Sequence, residues 1–274
     1  MTEKITSAQN PKIKQLLALQ EKSRLRRETG LFIVEGRREL QHCIDAGFEI
    51  DTIFFCDFGE DAATGMAADL TAAAQRTYEI SREIYQKIAY REGTEGIVAE
   101  VKVMERRLAD LKLKENPLIV VLESVEKPGN LGAVLRSADA AGADAVIICD
   151  PLTDLYNPNL IRASIGAVFT VPCAACSSEE AIDWLKANDV QILTAQLQDS
   201  EWYYDTDMKR GSAIVIGTEA TGLTQAWRDA ADAHVKIPML GAMDSLNASV
   251  SAAILLFEAV RQRKSEGRAG ELID

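Results

Sequence analysis

After Pro117 the chain repeats one pattern six times: a five-residue run of apolar and β-branched side chains, then a stretch long enough for a helix. The runs are LIVVL (118–122), AVIIC (145–149), FTVPC (169–173), QILTA (191–195), AIVIG (213–217) and HVKIP (234–238). A strand with one wet face would alternate apolar and polar residues. Runs this continuous are covered on both faces, and the helix-length spacers supply the cover. The pattern predicts an α/β domain built on a parallel sheet.

Upstream the alternation is looser. A helix over 11–22, a strand LFIVEG (31–36), a helix from Arg37 and a strand DTIFFC (51–56) come first. A helix over DAATGMAADLTAAAQ (61–75), another near 81–90 and a strand GIVAEV (96–101) follow. These predict a smaller α/β domain. A charged stretch then ends at the helix-stopping Pro117. The expected division is a first domain over 1–105, a linker over 106–117, a second domain over 118–264 and an aperiodic tail over 265–274. A length of 274 residues allows two such cores.

Composition narrows the class. The opening MTEKITSAQNPKIK lacks the apolar core of a signal peptide, and no apolar run approaches the roughly 20 residues that span a bilayer. Five cysteines in a chain this long make no disulfide framework, and the odd count fits a reducing, cytoplasmic setting. Cys173 and Cys176 form a lone CxxC without a second pair, so no metal site is expected. Two histidines leave few candidates for imidazole acid–base chemistry.

The net charge of −12 argues against a polyanionic partner until its distribution is considered. Residues 1–40 hold nine Lys/Arg against five Glu, while the other 234 residues hold 21 Lys/Arg against 37 Asp/Glu. A basic arm on an acidic body suits a protein that grips RNA at one end, through Lys12, Lys14, Arg24, Arg26, Arg27 and Arg37. The run KSRLRRE reads equally well as the solvated face of a helix.

Three stretches carry candidate chemistry. In KPGNLGAVLRSADAAG (127–142), Leu131, Val134, Leu135 and Ala138 form the apolar stripe of a helix that Asn130 is placed to cap. Arg136 lies off the stripe, on one face with Gly132, where the missing side chain lets a ligand approach the guanidinium. The glycine spacing is not G-x-G-x-x-G, which argues against a dinucleotide-dependent oxidoreductase. Taken alone, Arg136 also reads as an ordinary helix arginine. In IVIGTEATGL (214–223) a strand enters a tight glycine turn with Glu219 at its bend. In IPMLGAMDSLNASVSAAILLFEAV (237–260), Ser245, Asn247 and Ser249 stand where a long helix begins, with Leu246, Val250, Ala253, Ile254, Phe257 and Val260 at helical spacing. Each Ser or Asn there also reads as a helix cap, and Glu219 as a turn carboxylate.

Together and in this order, the three stretches resemble the signature motifs of the SpoU branch of the SPOUT RNA methyltransferases, over about residues 118–262. YNPNLIRASIGAVFTVP (156–172) is also similar to the family. SAQNPKIKQL and GLFIVEGRREL, in residues 1–100, resemble the ribosomal-protein-like substrate-binding domain often fused in front. The resemblance implies a parallel sheet tied in a deep trefoil knot, an exception to unknotted folding. It also implies transfer of a methyl group from S-adenosylmethionine to a ribose 2′-hydroxyl of structured RNA, ribosomal RNA ahead of transfer RNA. It implies a homodimer paired through the knot. Gly217, Ile237, Leu246 and the loop from Thr194 would hold the cofactor. Asn130 and Arg136 would face the substrate, with Glu219, Ser245 and Asn247 orienting Arg136, the ribose and the cofactor loop. A non-catalytic RNA-binding relative, keeping the knot as a scaffold, is the alternative. Two departures stand out: Lys127 where many members have Asp or Asn, and SLNAS where SLNVS is commoner.

Overall fold

The computed structural model describes residues 3–56, 70–90 and 95–264. Most of the helix expected over 61–75, and the tail 265–274, lie outside the described residues. The chain forms two compact units. The first comprises the described residues of Met1–Met104 together with Asp154–Thr170, and the second those of Glu105–Thr153 together with Val171–Asp274. Sequence division assigned Asp154–Thr170 to the second domain. The structure groups it with the first.

The first unit is built on a mixed five-stranded sheet. Its strands are β1 (Glu3–Ile5), β2 (Leu31–Glu35), β3 (Ile50–Phe55), β4 (Ala74–Ile80) and β5 (Ile97–Lys102), in the order β1-β4-β3-β5-β2. The pairs β1·β4 and β3·β4 are parallel, whereas β5 runs antiparallel to β3 and β2. Helices α1 (Pro11–Glu21), α2 (Ser23–Thr29), α3 (Arg37–Asp45) and α4 (Arg82–Ile88) accompany it. The end of the helix expected over 61–75 is instead the start of β4. From Thr77 to Ile80 the residues alternate half-buried and buried, and pairing with β1 and β3 outweighs the helix preference of Ala74 and Gln75.

An aromatic cluster explains how Asp154–Thr170 joins this unit. Tyr156 stacks on Phe32 with ring centroids 4.3 Å apart, and Phe169 meets Phe48 edge-on at 5.2 Å. Phe169 lies in a short helix (Ala167–Thr170), not in the expected strand 169–173. Pro172 has no N–H to give a ladder, and the strand begins only at Cys173. At the other end of the segment Asp154 accepts from Arg26 Nε at 2.6 Å, and Arg26 Nη1 donates to the carbonyl of Leu19 at 2.5 Å.

The second unit has the expected parallel sheet, with one strand more than the sequence suggested. It comprises β6 (Leu118–Glu123), β7 (Ala145–Cys149), β8 (Cys173–Cys176), β9 (Gln191–Ala195), β10 (Glu201–Trp202), β11 (Ser212–Ile216) and β12 (Ala233–Lys236). The order is β10-β12-β9-β11-β6-β7-β8, and every pairing is parallel. All residues of β6, β7 and β11 are buried, as covered faces require. Helices α5 (Pro128–Ala141), α6 (Pro158–Ser164), α7 (Ala167–Thr170), α8 (Ser178–Ala187), α9 (Gln225–Ala230) and α10 (Ala248–Lys264) complete the two units, α6 and α7 belonging to the first. Helix α10 packs on α5, β6 and β11 through Ala252, Leu255, Leu256 and Ala259. The apolar positions picked from the sequence lie on its other side: Val250 is 46% exposed and Phe257 47%.

In the first unit one carboxyl group is poorly matched to its surroundings. Glu100 on β5 is 5% exposed, and its Oε1 is buried without a hydrogen-bond partner among the described residues. Burial, followed by the nearby Asp51 charge, raises its pKa from 4.5 to about 7, with Lys12 and Arg76 opposing. The unfolded chain therefore releases this proton before the folded chain does, so stability falls as pH rises from about 4.5 to 7. Glu100→Gln is expected to flatten that decline and to stabilise the protein above pH 7, by on the order of 2–3 kcal/mol. Thermal denaturation across pH 4–8 measures it, and parallel curves for the two proteins would refute it.

Candidate active site

In a parallel sheet the carboxyl ends of all strands open on one edge, and ligands bind there. In the second unit the residues leaving β9, β11 and β12 wall a cleft of about 390 Å³. Its lining includes Ala195–Gln198, Ile216–Leu223, Val235–Ile237 and Met239, closed by Asp244–Leu246 and by Ala248, Ser251 and Leu255 of α10. Gly217, Ile237 and Leu246 all stand in this wall. Thr194 stands behind it: the residue is fully buried, and its hydroxyl lies 2.6 Å from His234 Nδ1. The stretch after Thr194 forms the wall, and Thr194 itself does not.

The tight turn at 217–223 depends on the absence of a side chain. A Cβ at Gly217 would lie 2.4 Å from the Gly222 carbonyl carbon and 2.6 Å from the Leu223 nitrogen. No neighbour there is free to move, since all are backbone. Thr218 and Gly222 exchange backbone hydrogen bonds of 3.3 and 3.0 Å across the turn. Beyond it, buried Glu123 at the end of β6 accepts from the Thr224 N–H (2.9 Å) and Thr224 Oγ1 (2.6 Å), pinning the start of α9. Sequence reading passed over Glu123. The available signal was a carboxylate closing the otherwise apolar run LIVVLE.

Glu219, at the bend of this turn, gathers three segments. Its Oε1 accepts from Asn130 Nδ2 at 3.0 Å and Asn247 Nδ2 at 2.6 Å, and its Oε2 accepts from Lys127 Nζ at 2.9 Å. Asn247 Nδ2 also donates to Asn130 Oδ1 at 3.1 Å. The Lys127 and Asn130 hydrogen bonds hold the Glu219 carboxyl below the usual carboxylate range, and Glu219 in turn raises the Lys127 pKa. Lys127, noted in the sequence only as a departure, is thus part of the constellation.

Asn130 does not cap α5. That helix starts at Pro128 with Lys127 as its N-cap, so Asn130 sits inside the first turn with its side chain committed to Glu219. Asn247 does cap α10: its Oδ1 accepts from the Ser249 N–H (3.0 Å) and Ser249 Oγ (2.6 Å). One amide therefore caps a helix with its oxygen and binds Glu219 with its nitrogen, which fixes its orientation. Ser245 lines the cleft and donates to Asp244 Oδ1 at 3.3 Å, outside the Glu219 network.

Arg136 is exposed on α5 and makes no hydrogen bond or ion pair among the described residues. Gly132, expected to open space before it, is buried on the apolar side of the helix, while a Cβ at Gly129 would meet nothing within 4 Å. The open glycine is therefore Gly129. Among the described residues no cluster of three or more His, Cys, Asp or Glu is placed to hold a metal ion.

In the first unit the basic residues separate. Lys14, Arg24 and Arg27 are exposed, with Arg24 paired to Glu28 at 2.6 Å. Lys12 is half-buried, its Nζ 4.8 Å from the centre of the Tyr78 ring, and Arg37 is half-buried with Nε donating to the Glu95 carbonyl. Arg26 is not available to a ligand. It is 3% exposed, and its charge is spent on Asp154 and the end of α1, because a buried guanidinium needs acceptors for its donors.

Comparison with known proteins matches residues 117–257 to the SpoU rRNA Methylase family and residues 10–99 to the MRM3-like substrate binding domain. The 23S rRNA (uridine(2479)-2'-O)-methyltransferase of Streptomyces viridochromogenes is 32% identical over 96% of this chain and 93% of its own. The 23S rRNA (guanosine(2553)-2'-O)-methyltransferase RlmP of Bacillus subtilis is 29% identical over 92% and 97%. The AdoMet-bound rRNA methyltransferase of Sinorhizobium meliloti superposes with a TM-score of 0.87 at 31% identity, over 95% and 98% of the two chains. Fold and site thus define a methyltransferase of the SPOUT class with a substrate-binding module in front. The chain belongs to the SpoU rRNA Methylase family.

The double duty of Asn247 can be separated. Asn247→Asp keeps the capping oxygen but sets a second carboxylate against Glu219, whereas Asn247→Ala removes both functions. The Asp variant is expected to raise the Glu219 pKa, to unfold near the wild-type temperature at acid pH where one carboxyl is protonated, and to lose stability as the pH rises and both ionise. The Ala variant should lose about 1 kcal/mol of stability. Carbon-detected titration of Glu219 alongside calorimetry checks both, and an unmoved Glu219 in the Asp variant would contradict the network.

Proposed function

We propose that this protein methylates a ribose 2′-hydroxyl of RNA, ribosomal rather than transfer RNA, using S-adenosylmethionine. The supporting relatives act on uridine in one case and guanosine in the other, both at the 2′-oxygen. The ribose is what they share, so the ribose chemistry carries over and the base does not.

The observation that carries the reading is the adjacency of the cleft and the Glu219 network, since Glu219 belongs to both. The cleft suits the cofactor. At about 390 Å³ it falls within the size of small-ligand sites, with Ile237, Met239, Leu246 and Leu255 for an apolar ring and Thr218 and Ser245 for hydroxyls. When bound, S-adenosylmethionine supplies a methyl group on a positively charged sulfur. Gly217, Ile237 and Leu246, with the 195–198 stretch, would hold it.

The remaining work falls to side chains. A neutral hydroxyl is a weak nucleophile, and its oxygen gains negative charge as its proton leaves. Arg136 cannot accept that proton, because a guanidinium stays charged in proteins, so the proton passes to solvent water as the oxygen bonds the methyl carbon and the carbon–sulfur bond breaks. Arg136 stabilises the developing alkoxide and clamps the neighbouring phosphate. Glu219, Asn130 and Asn247 keep the floor of the site in one geometry, and Ser245 borders the cofactor. Lys14, Arg24 and Arg27 supply the basic surface of the first unit toward RNA.

The protein acts in the cytoplasm as a homodimer with its C-terminal half knotted, in this reading. Among the described residues no helix is long and apolar enough to cross a membrane. The unpaired apolar side of α10, with Val250 and Phe257 beside exposed Leu246 and Met243, supports pairing of two copies there.

Arg136→Ala is expected to lower methyl transfer at least about 10²-fold, as when one preorganised oxyanion donor is removed, with S-adenosylmethionine binding intact. A tritiated-methyl assay on total RNA and calorimetry read the two quantities. Retained transfer would reject the role of Arg136, and absence of cofactor binding in the wild type would favour a non-catalytic RNA binder. Phe257→Glu should convert a dimer to monomer in sedimentation experiments; an unchanged mass would place the interface elsewhere.

A further inference from the structure

Tyr90, just beyond α4, is the most exposed aromatic side chain among the described residues: 65%, against 47% for Tyr204 and 40% for Trp202. Its position is nevertheless fixed at two points. The Tyr90 N–H donates to both carboxylate oxygens of Glu35, at 3.1 and 2.9 Å. The guanidinium carbon of Arg162, on α6, lies 3.3 Å from the centre of the Tyr90 ring. Arg162 is held in its turn, since its Nη2 donates to Asn159 Oδ1. Its Nη1 is buried with no hydrogen-bond partner among the described residues.

These features are costly in isolation. The ring leaves most of its apolar surface in water, and the arginine has a donor unsatisfied. Neither cost brings packing to the unit's own core, to which Tyr90 does not belong. What the arrangement does provide is a flat π-face, rigidly presented, with a cation stacked behind it. Rigid aromatic platforms of this kind bind splayed nucleobases, because every base offers a complementary face and no ordering of the ring is needed. The location agrees: Tyr90 falls within residues 10–99, which match a substrate-binding domain, and Arg162 packs in the same unit.

We infer that Tyr90, backed by Arg162, is a stacking platform for an unpaired base of the RNA substrate. The inference rests on the reading that the substrate is RNA, and it adds a contact made by the ring and not by charge. Tyr90 belongs to the first unit and the cleft to the second, so the ring is assigned to binding and not to the chemistry.

The test uses the full-length protein and a naked 23S ribosomal RNA transcript, with filter retention for Kd and methyl transfer for KM and kcat. Tyr90→Ala should raise Kd and KM about tenfold, within the range seen on removing one stacked aromatic, and leave kcat and S-adenosylmethionine affinity within twofold. Because no phosphate contact is lost, the slope of log Kd against log salt should stay the same. Tyr90→Phe, which keeps the ring, should bind within twofold of the wild type. Wild-type affinity in Tyr90→Ala, or an equal loss in Tyr90→Phe, would overturn the platform. So would a loss confined to assembled ribosomal particles, which would make the ring a contact for a ribosomal protein, or a wild type that does not bind the naked transcript. A wild type that binds the transcript through Tyr90 yet transfers no methyl group would sink the enzymatic reading and leave the platform standing.

Discussion

A single carboxylate must join its own turn to two other pieces of chain for the candidate site to exist. Glu219 receives hydrogen bonds from residues 92 and 89 positions before it and 28 positions after it. The donors are a lysine and two amides, and each sits at a helix start: Lys127 and Asn130 at the head of α5, Asn247 at the head of α10. The carboxylate therefore ties two helix starts to the turn after β11, one of them capped by the same Asn247 that it binds. The side-chain amides leave little choice of rotamer. Asn247 is held on both ends, and turning it over would place its nitrogen against the Ser249 N–H and its oxygen against Glu219.

The parallel sheet explains why that carboxylate faces a cleft. Because β9, β11 and β12 run in the same direction, their carboxyl ends reach one edge together, and the chain leaving them builds three adjacent walls. Walls made from chain turns expose main-chain groups, which explains the weight carried by Gly217 and by the Thr218–Gly222 closure. Glu123 fastens the far end of the same turn from inside the sheet. The turn carrying Glu219 is therefore anchored at both sides, by a buried carboxylate behind and by donors in front.

Much of this was legible in the residues, for reasons that differ by element. Strands β6, β7, β9 and β11 were visible because burial on both faces leaves a continuous apolar signature, while β12, buried only at Val235, was visible from the short run HVKIP. β8 was misplaced by four residues, since Phe169 looks like strand but is claimed by an aromatic cluster assembled from distant segments. β10 has two residues and no periodicity to read. The ordered motifs pointed to Asn130, Glu219 and Asn247, yet Asn130 was taken for a cap because its residue type suits one, although Pro128 two residues earlier already signals the first helical turn. Arg26 looked like part of a basic arm because charge is counted along the chain, whereas its acceptors, Asp154 and the Leu19 carbonyl, come together only in three dimensions. The stripe picked on α10 was apolar and helical, but a helix with apolar residues on two sides does not say which one faces the core.

The two cations on α5 make the last point. Lys127 and Arg136 lie nine residues apart on one helix and could each be assigned to a developing negative charge. Lys127 is already paired with Glu219, so an incoming anion would have to compete with that carboxylate for it. Arg136 has no such partner among the described residues, so its full charge is available to an incoming anion. The same pairing that makes Lys127 unsuitable favours the ionised form of Glu219. The second unit thus carries one cation committed to a carboxylate and one guanidinium uncommitted among the described residues. On this argument the lysine, which first looked like a departure from the family pattern, belongs to the Glu219 network, and the developing charge of the proposed reaction falls to the arginine.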